Sequence, residues 1–255
     1  MKITCLGSGG AFTLNNYHSN FLLEANSGKK MLIDCGSDVR HALFELGYTY
    51  KDIDAVYISH LHGDHCGGLE WLGFSKFFDK TQSKPKLFAS NNLDVWKTLE
   101  ESMDTINDLE YKELHDYFDR NVYYEQPGEK FQWEQISFEI IPRFHIKKRD
   151  IVKKSYGLNI DDKVYFSSDA IFNNYMELFL NTNTELILHE CETYYIDGSP
   201  FKSNVHSHYE DLKQLPLTIK EKMWLYHYSD NAPTILDPVK DGFKGFINKG
   251  QIFEI

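Results

Sequence analysis

The chain has 255 residues, of which 42% are apolar and 15% are aromatic, so it can bury one substantial core and lacks the composition of a disordered segment. Its formal net charge of -11 argues against a general nucleic-acid surface, because such surfaces need clustered Lys and Arg to displace counterions from phosphates. The length and composition predict a single domain over residues 1–255. Four well-separated cysteines predict reduced thiols. The sequence shows neither a secretory leader nor a long apolar span, so we expect a cytoplasmic protein with no membrane partner.

Short β-like runs recur through the chain, most of them ended by Gly, Asn, Asp or Ser. In order they are KITCL, NFLLEA, KMLID, AVYIS, PKLFA, ISFEII, YGLNI, KVYFSS, ELILHE, KMWLYH and QIFEI. Helical patterns are predicted between them at about 38–46, 66–79, 91–119, 171–181, 207–215 and 231–238. Strands interleaved with helices predict a layered α/β domain.

The glycine-rich segment LGSGGAF follows the first predicted strand. A dinucleotide-binding fingerprint would need glycine at position 12, where this chain has Phe12. We therefore interpret the segment as a tight strand-end turn, for which glycine supplies backbone freedom. His18, a little further along, is interpreted as part of a surface loop, with a substrate contact as the alternative.

A polar segment at about 91–120, NNLDVWKTLEESMDTINDLEYKELHDYFDR, interrupts the strand-rich order. Its Leu, Trp, Met, Ile, Tyr and Phe residues recur at helix-like intervals, so we interpret it as a helical insertion. Amphipathic spacing does not separate a core-covering role from a lid or a dimer contact. Both interpretations stay open.

The stretch SHLHGDHCGG follows the apolar run AVYIS and places His60, His62, Asp64 and His65 within six positions. The turn after a strand can direct these side chains into one small volume. Imidazole nitrogens and a carboxylate suit zinc or manganese, and packing alone rarely produces such a group. The stretch therefore predicts a metal site.

This H-x-H-x-D-H pattern resembles the signature of the metallo-β-lactamase superfamily, and the resemblance spans nearly the whole chain. It implies a four-layer αββα sandwich that holds two divalent ions, with zinc expected and manganese as the alternative. Counterparts of the remaining ligands are His145 in IPRFH, Asp169 in YFSSDA and His227 in WLYHYS, each after an apolar run. The resemblance assigns one ion to His60, His62 and His145, the second to Asp64, His65 and His227, and both to Asp169.

The segments LILHECETYY and NVHSHYEDLKQLP resemble the ribonuclease Z branch of phosphodiesterases, in which a strand-end H-E precedes a helix-initiating H-S. The match implies that His206 protonates the departing alkoxide and that Glu190 orients it, with Asp64 also in the catalytic set. His208 is the alternate to His206. Ser207 as a helix cap, with both histidines in a polar helix start, is the competing interpretation.

The opening LGSGGAFTLNNYHSNFLLE, the helical insertion and the segment LYHYSDN resemble the phage-encoded anti-Pycsar phosphodiesterases. This resemblance implies a homodimeric enzyme of the bacterial host cytoplasm that hydrolyses 3′,5′-cyclic mononucleotides to nucleoside monophosphates. The cyclic nucleotides cCMP and cUMP are the first candidates, with cAMP and cGMP after them.

A ribonuclease Z-like tRNA 3′ endonuclease is the alternative function. It is disfavoured because an acidic segment stands where the tRNA-cutting enzymes carry a basic arm, and because the net charge is wrong for gripping a large polyanion. Tyr17, Tyr194 and Tyr195 are candidates for stacking on the base. The basic run at 146–149 either attracts the anionic substrate or is a solvated face.

Overall fold

The computed structural model describes residues 1–93, 95, 97–99, 114–123, 130–148, 151–173, 180 and 183–255. The chain divides into two compact units. Unit 1 comprises Met1–Gly7, Tyr17–Gln126 and Gly250–Ile255, and unit 2 comprises Ser8–Asn16 and Pro127–Lys249. The assignment of residues 1–255 to one domain stays a prediction. Among the described residues, no helix has the length and apolar character needed to cross a lipid bilayer.

Unit 1 is built on a seven-stranded mixed sheet. Its strands are β1 (Lys2–Cys5), β2 (Phe21–Glu24), β3 (Lys30–Ile33), β4 (Ala55–Ile58), β5 (Lys86–Ser90), β6 (Asp119–Tyr123) and β16 (Ile252–Glu254). The sheet order is β16-β1-β2-β3-β4-β5-β6, antiparallel as far as β3 and parallel from β3 to β6. All four residues of β4 are buried, as expected for a parallel strand covered on both faces.

The helices of unit 1 whose bounds the structure describes are α1 (Val39–Glu45), α2 (Gly63–Cys66) and α3 (Leu69–Phe78), with 3₁₀ turns at Tyr50–Asp52 and Leu114–Asp116. Apolar side chains from α1 and α3 pack with the sheet residues Leu32, Val56 and Leu87 in one buried cluster. Burial of this apolar surface is the main force that holds the unit together.

Unit 2 is built on a second seven-stranded mixed sheet. Its strands are β7 (Lys130–Trp133), β8 (Ile136–Lys148), β9 (Ile151–Ile160), β10 (Val164–Phe166), β11 (Leu186–Glu190), β14 (Met223–Tyr226) and β15 (Gly245–Phe246). The sheet order is β15-β14-β11-β10-β9-β8-β7, parallel from β15 to β10 and antiparallel from β10 to β7.

A separate hairpin in unit 2 pairs β12 (Tyr195–Ile196) with β13 (Ser199–Pro200). The described helices of this unit are α4 (Tyr209–Leu212), α5 (Leu217–Lys220) and α6 (Ala232–Ile235). Side chains of all three helices pack with Ile187 and Leu225 of the sheet in a second buried cluster. Each unit therefore has its own core.

The predicted strand runs each contain a strand, and α1 and α3 confirm two of the predicted helices. The predicted helices at 207–215 and 231–238 are shorter in the structure, as α4 and α6. Of the predicted helix at 171–181, residues 171–173 and 180 are not helical, and residues 174–179 and 181 lie outside the described residues.

The helical insertion at 91–120 is described only in part, because residues 94, 96 and 100–113 lie outside the described residues. Val95 and Leu99 are helical and belong to the core of unit 1, so the insertion covers core at these positions. Its predicted end at residue 120 is wrong, because the last described helical turn ends at Asp116 and β6 begins at Asp119. An edge strand of this kind tolerates charged residues, so it lacks the apolar run by which a buried strand is predicted.

Candidate metal centre

The histidine segment of unit 1 begins where β4 ends. His60 Nε2 lies 3.2 Å from His62 Nδ1, and the rings of His60 and His65 are 4.1 Å apart. Asp64 and His65 stand in the first turn of α2, with Asp64 Oδ2 3.2 Å from His65 Nε2. The structure thus brings together the four side chains of the predicted motif, three of them buried.

Asp34, directly after β3, orients His65. It was not identified as a site residue from the sequence. Its Oδ2 lies 2.8 Å from His65 Nδ1, and it also accepts hydrogen bonds from the backbone N–H and the hydroxyl of Ser59, each at 2.8 Å. Burial raises the pKa of the Asp34 carboxyl more than His65 and Ser59 lower it. The available signal in the sequence was an aspartate at the end of the apolar run KMLID.

The loop after β3 also holds the backbone of the histidine segment. Cys35 N–H donates to the His65 carbonyl at 2.7 Å. A Cβ atom at Gly36 would lie 2.2 Å from the Asp64 carbonyl oxygen, closer than any real contact. Glycine at this position therefore allows the loop after β3 to approach the backbone of Asp64 in α2 closely.

In unit 2, three of the candidate residues lie at the carboxyl ends of parallel strands. Asp169 follows β10, Glu190 is the last residue of β11, and His227 follows β14 directly. Glu190 pairs in register with Tyr226, so Glu190 and His227 reach the same edge of the sheet. His227 Nε2 lies 3.4 Å from Asp169 Oδ2. Ser168 and His227 both have positive φ angles, of 52° and 64°, a conformation that costs energy and clusters at functional sites.

His145 does not follow its strand as predicted; it lies inside β8, where the pairing with β9 shifts register between Phe144 and Ile146. A bulge of this kind redirects a side chain that a regular strand would aim elsewhere. His145 Nδ1 lies 2.8 Å from the Val205 carbonyl, and its ring is 5.2 Å from that of His206. Donation from Nδ1 to a carbonyl suits Nε2 for a metal ion.

Glu190, which is buried, and His206, which is mostly covered, form an acid–imidazole pair. Glu190 Oε1 accepts hydrogen bonds from the backbone N–H groups of Ser207 at 2.7 Å and Ala170 at 3.2 Å, while Oε2 lies 3.5 Å from His206 Nδ1. Burial is the largest effect on His206 and lowers its pKa, but Glu190 and then Asp169 outweigh it and raise the pKa of His206 to about 9. Donor atoms of Glu190, His206 and His227 all lie within 4.8 Å of one another.

His208 occupies a different environment from His206. It is fully buried, caps α4 by accepting a hydrogen bond from the Glu210 N–H, and places Nε2 3.1 Å from the Tyr194 carbonyl. The interpretation of Ser207 as the helix cap is wrong, because the Ser207 hydroxyl donates to the Ala170 carbonyl at 2.9 Å. Of the two histidines, His206 is the one beside the carboxylates.

The other residues considered in the sequence have varied surroundings. The Tyr17 and Tyr195 hydroxyls donate to Glu45 and Glu210, whereas Tyr194 is half exposed. His18 Nδ1 lies 3.2 Å from Asp38 Oδ1 and is mostly covered, so it is not part of a freely exposed loop. Lys147 in the basic run is exposed and residue 149 lies outside the described residues, so both interpretations of that run stay open.

The family model described as "Anti-Pycsar protein Apyc1" matches residues 1–253. The chain belongs to this family. An anti-Pycsar protein Apyc1 from Paenibacillus sp. (strain J14) is 34% identical over 260 residues, covering 100% of this chain and 99% of the relative. The Apyc1 of Bacillus phage vB_BveM-Goe7 is 28% identical over 263 residues, covering 98% and 96%. The resemblance to anti-Pycsar proteins is therefore confirmed.

The crystal structure of the metallo-β-lactamase fold protein YhfI from Bacillus subtilis is similar to this chain. Its TM-score is 0.69 at 22% sequence identity, and the match covers 99% of each chain. This likeness confirms the predicted fold class, a metallo-β-lactamase fold of the α/β type. The described His and Asp clusters fit a divalent-metal hydrolase.

Proposed function

We propose that this chain is a dinuclear metal-dependent phosphodiesterase that hydrolyses 3′,5′-cyclic mononucleotides to nucleoside monophosphates, with cCMP and cUMP as the first candidates and cAMP and cGMP after them. The observation that carries the proposal is the Glu190–His206 pair beside Asp169 and His227. A mostly covered imidazole that is oriented by a carboxylate next to metal-type donors suits proton delivery to a leaving group.

The donor chemistry of the candidate residues supports divalent metal ions. All are imidazole nitrogens or carboxylate oxygens, most are buried, and buried groups of this kind are costly unless they bind a metal or one another. Zinc fits best, with manganese as the alternative. From the family resemblance we propose that His60, His62 and His145 hold one ion, that Asp64, His65 and His227 hold the second, and that Asp169 contacts both.

Two ions bound in this way supply an activated water and neutralise charge on the attacking and leaving oxygens. Within the chain, His206 delivers the proton to the departing O3′. Its Nδ1 faces Glu190 and Asp169, at 3.5 and 3.8 Å, so Nε2 is the nitrogen that donates. Glu190 is itself fixed by two backbone N–H groups, which keeps the imidazole in one orientation.

We also propose that the protein acts as a homodimer in the bacterial host cytoplasm and removes the signal of Pycsar defence, as a phage counter-defence enzyme. Support comes from the names of its relatives, which occur in Bacillus phages and in Paenibacillus species. Light scattering of the purified protein tests the dimer, and protection of infecting phage in a Pycsar-bearing host tests the role.

The experiment that tests the activity incubates zinc- or manganese-loaded protein with a panel of cyclic nucleotides and, separately, with precursor tRNA. We expect nucleoside monophosphates from cCMP or cUMP and no cleavage of the tRNA. Cleavage of the tRNA alone would reverse the assignment in favour of an endonuclease. Tight nucleotide binding without any monophosphate would indicate a protein that sequesters the signal.

A further inference from the structure

The glycine-rich segment after β1 packs against His227 within unit 2. Ser8 O accepts a hydrogen bond from His227 N–H at 2.7 Å, and Gly9 pairs with Tyr228 in an isolated parallel bridge. A Cβ atom at Gly10 would lie 3.2 Å from His227 Cε1. The start of this loop therefore lies directly against the ring of a candidate metal ligand.

The rest of the loop is held by one carboxylate. Asp230 accepts hydrogen bonds from the Thr13 hydroxyl, from the backbone N–H groups of Leu14 at 2.9 Å and Asn15 at 3.3 Å, and from the Asn16 amide at 3.3 Å. Thr13 N–H also donates to Gly10 O at 3.1 Å, which closes a turn. A loop with this many bonds to one side chain has a defined shape.

This ordered loop holds apolar side chains in solvent. Phe12 is 86% exposed and Leu14 is 93% exposed. Proteins usually bury such side chains, and an exposed apolar patch beside a site indicates a ligand or a partner. Two side chains are far fewer than the roughly 20–30 residues a side of a stable protein interface. One exposed aromatic ring is enough to stack on a single nucleobase.

The position of the tip favours a small ligand bound at His227. Phe12 is two residues from Gly10, so its Cα atom lies at most about 7 Å from that of Gly10. A nucleotide whose phosphate is held near His227 has its base within reach of this tip. An aromatic ring stacks on every base, because every base has a π-face.

We propose that Phe12 is the side chain on which the nucleobase of the substrate stacks, and that Asp230 is a positioning residue that holds the loop in place. This inference rests on the proposed cyclic nucleotide activity and adds a base-binding residue to it. Stacking of this kind contributes to substrate affinity and leaves proton delivery by His206 unaltered.

The test compares Phe12→Ala and Phe12→Trp with the control Phe44→Ala, which removes a 76% exposed phenylalanine from α1 in unit 1. Equilibrium binding of a non-hydrolysable phosphorothioate cyclic nucleotide is measured together with KM and kcat. For Phe12→Ala we expect binding weaker by about 5- to 100-fold, a matching rise in KM and an unaltered kcat. Phe12→Trp restores the affinity, and Phe44→Ala behaves as the unsubstituted protein.

A second pair of variants tests the positioning residue. Asp230→Asn keeps the shape of the side chain but lacks the charge that attracts the loop donors, so binding weakens with Phe12 still present. Because Asp230 acts through Phe12, adding Asp230→Asn to Phe12→Ala weakens binding no further. Additive effects of the two substitutions would overturn the role of Asp230.

Three further outcomes would overturn the proposal. If the wild-type protein turns over cyclic nucleotides and Phe12→Ala binds them with unaltered affinity, Phe12 is not the stacking residue. The proposed function is then unaffected. A change in mass by light scattering on Phe12→Ala assigns the loop tip to a contact between copies of the chain. If the wild-type protein neither binds nor hydrolyses any cyclic nucleotide, both the proposed function and this inference are wrong.

Discussion

The two units present their candidate site residues in different ways. In unit 1 a short stretch of six residues supplies His60, His62, Asp64 and His65 from one loop and the first turn of α2. In unit 2 the corresponding side chains come from the ends of separate strands and from a bulge in β8. The first arrangement is set by the local chain, and the second by the order of strands in the sheet.

Both units nevertheless use the same device, a buried carboxylate at a strand end that faces a histidine. Asp34 Oδ2 lies 2.8 Å from His65 Nδ1, whereas Glu190 Oε2 lies 3.5 Å from His206 Nδ1. We propose that both carboxylates orient their histidine, His65 as a metal ligand and His206 as the proton donor.

The largest effect is expected from removing one proposed metal ligand in each unit. His60→Ala in unit 1 and Asp169→Ala in unit 2 should each bring hydrolysis below detection, because the remaining donors no longer hold the metal. Metal content and turnover are measured on the same samples. His41→Ala, which removes an exposed histidine of α1, is the control and should retain both. Full metal content with lost activity would contradict the assignment.

The next test separates the proton donor from the ligands. His206→Ala should slow kcat by about 100- to 10,000-fold while metal content stays unaltered. His208→Ala removes the cap of α4 and should instead lower the free energy of unfolding by about 1 kcal/mol, with kcat retained. Unaltered turnover in His206→Ala would remove it from the mechanism.

Substitution of the two buried carboxylates tests whether they have different roles in the two units. Asp34→Asn should weaken metal affinity by about 10- to 100-fold, because it disturbs the orientation of His65. Glu190→Gln should keep the metal and lower kcat, because it acts on His206. Competition with a chelator measures the affinity. Equal effects of both substitutions on metal binding would contradict the assignment of Asp34 to metal binding and of Glu190 to catalysis.

The smallest expected effect is on the stability of the metal-free protein. The pKa of His206 is raised from 6.5 to about 9, so its contribution to stability is fully present below about pH 6.5 and is lost as the pH rises towards 9. The loss is on the order of 2 kcal/mol. Denaturant unfolding in chelator at both pH values should show it in the wild type and not in His206→Gln. The same pH dependence in both proteins would contradict it.

Much of the fold was predictable because buried strands leave apolar runs of the right length, as KMLID and AVYIS do. The histidine segment was predictable because its residues are contiguous. The edge strand β6 was not, since an exposed edge needs few apolar residues. The bulge at His145 and the contact of Asp34 with His65 depend on pairing between strands, which a sequence pattern does not specify.

The measurement that tests the central claim most directly is the metal content of the protein after loading with zinc or manganese and dialysis against metal-free buffer. Elemental analysis should find two ions per chain in the wild type and fewer in Asp169→Ala, which removes the proposed shared ligand. Wild-type protein that retains no stoichiometric metal would contradict the account.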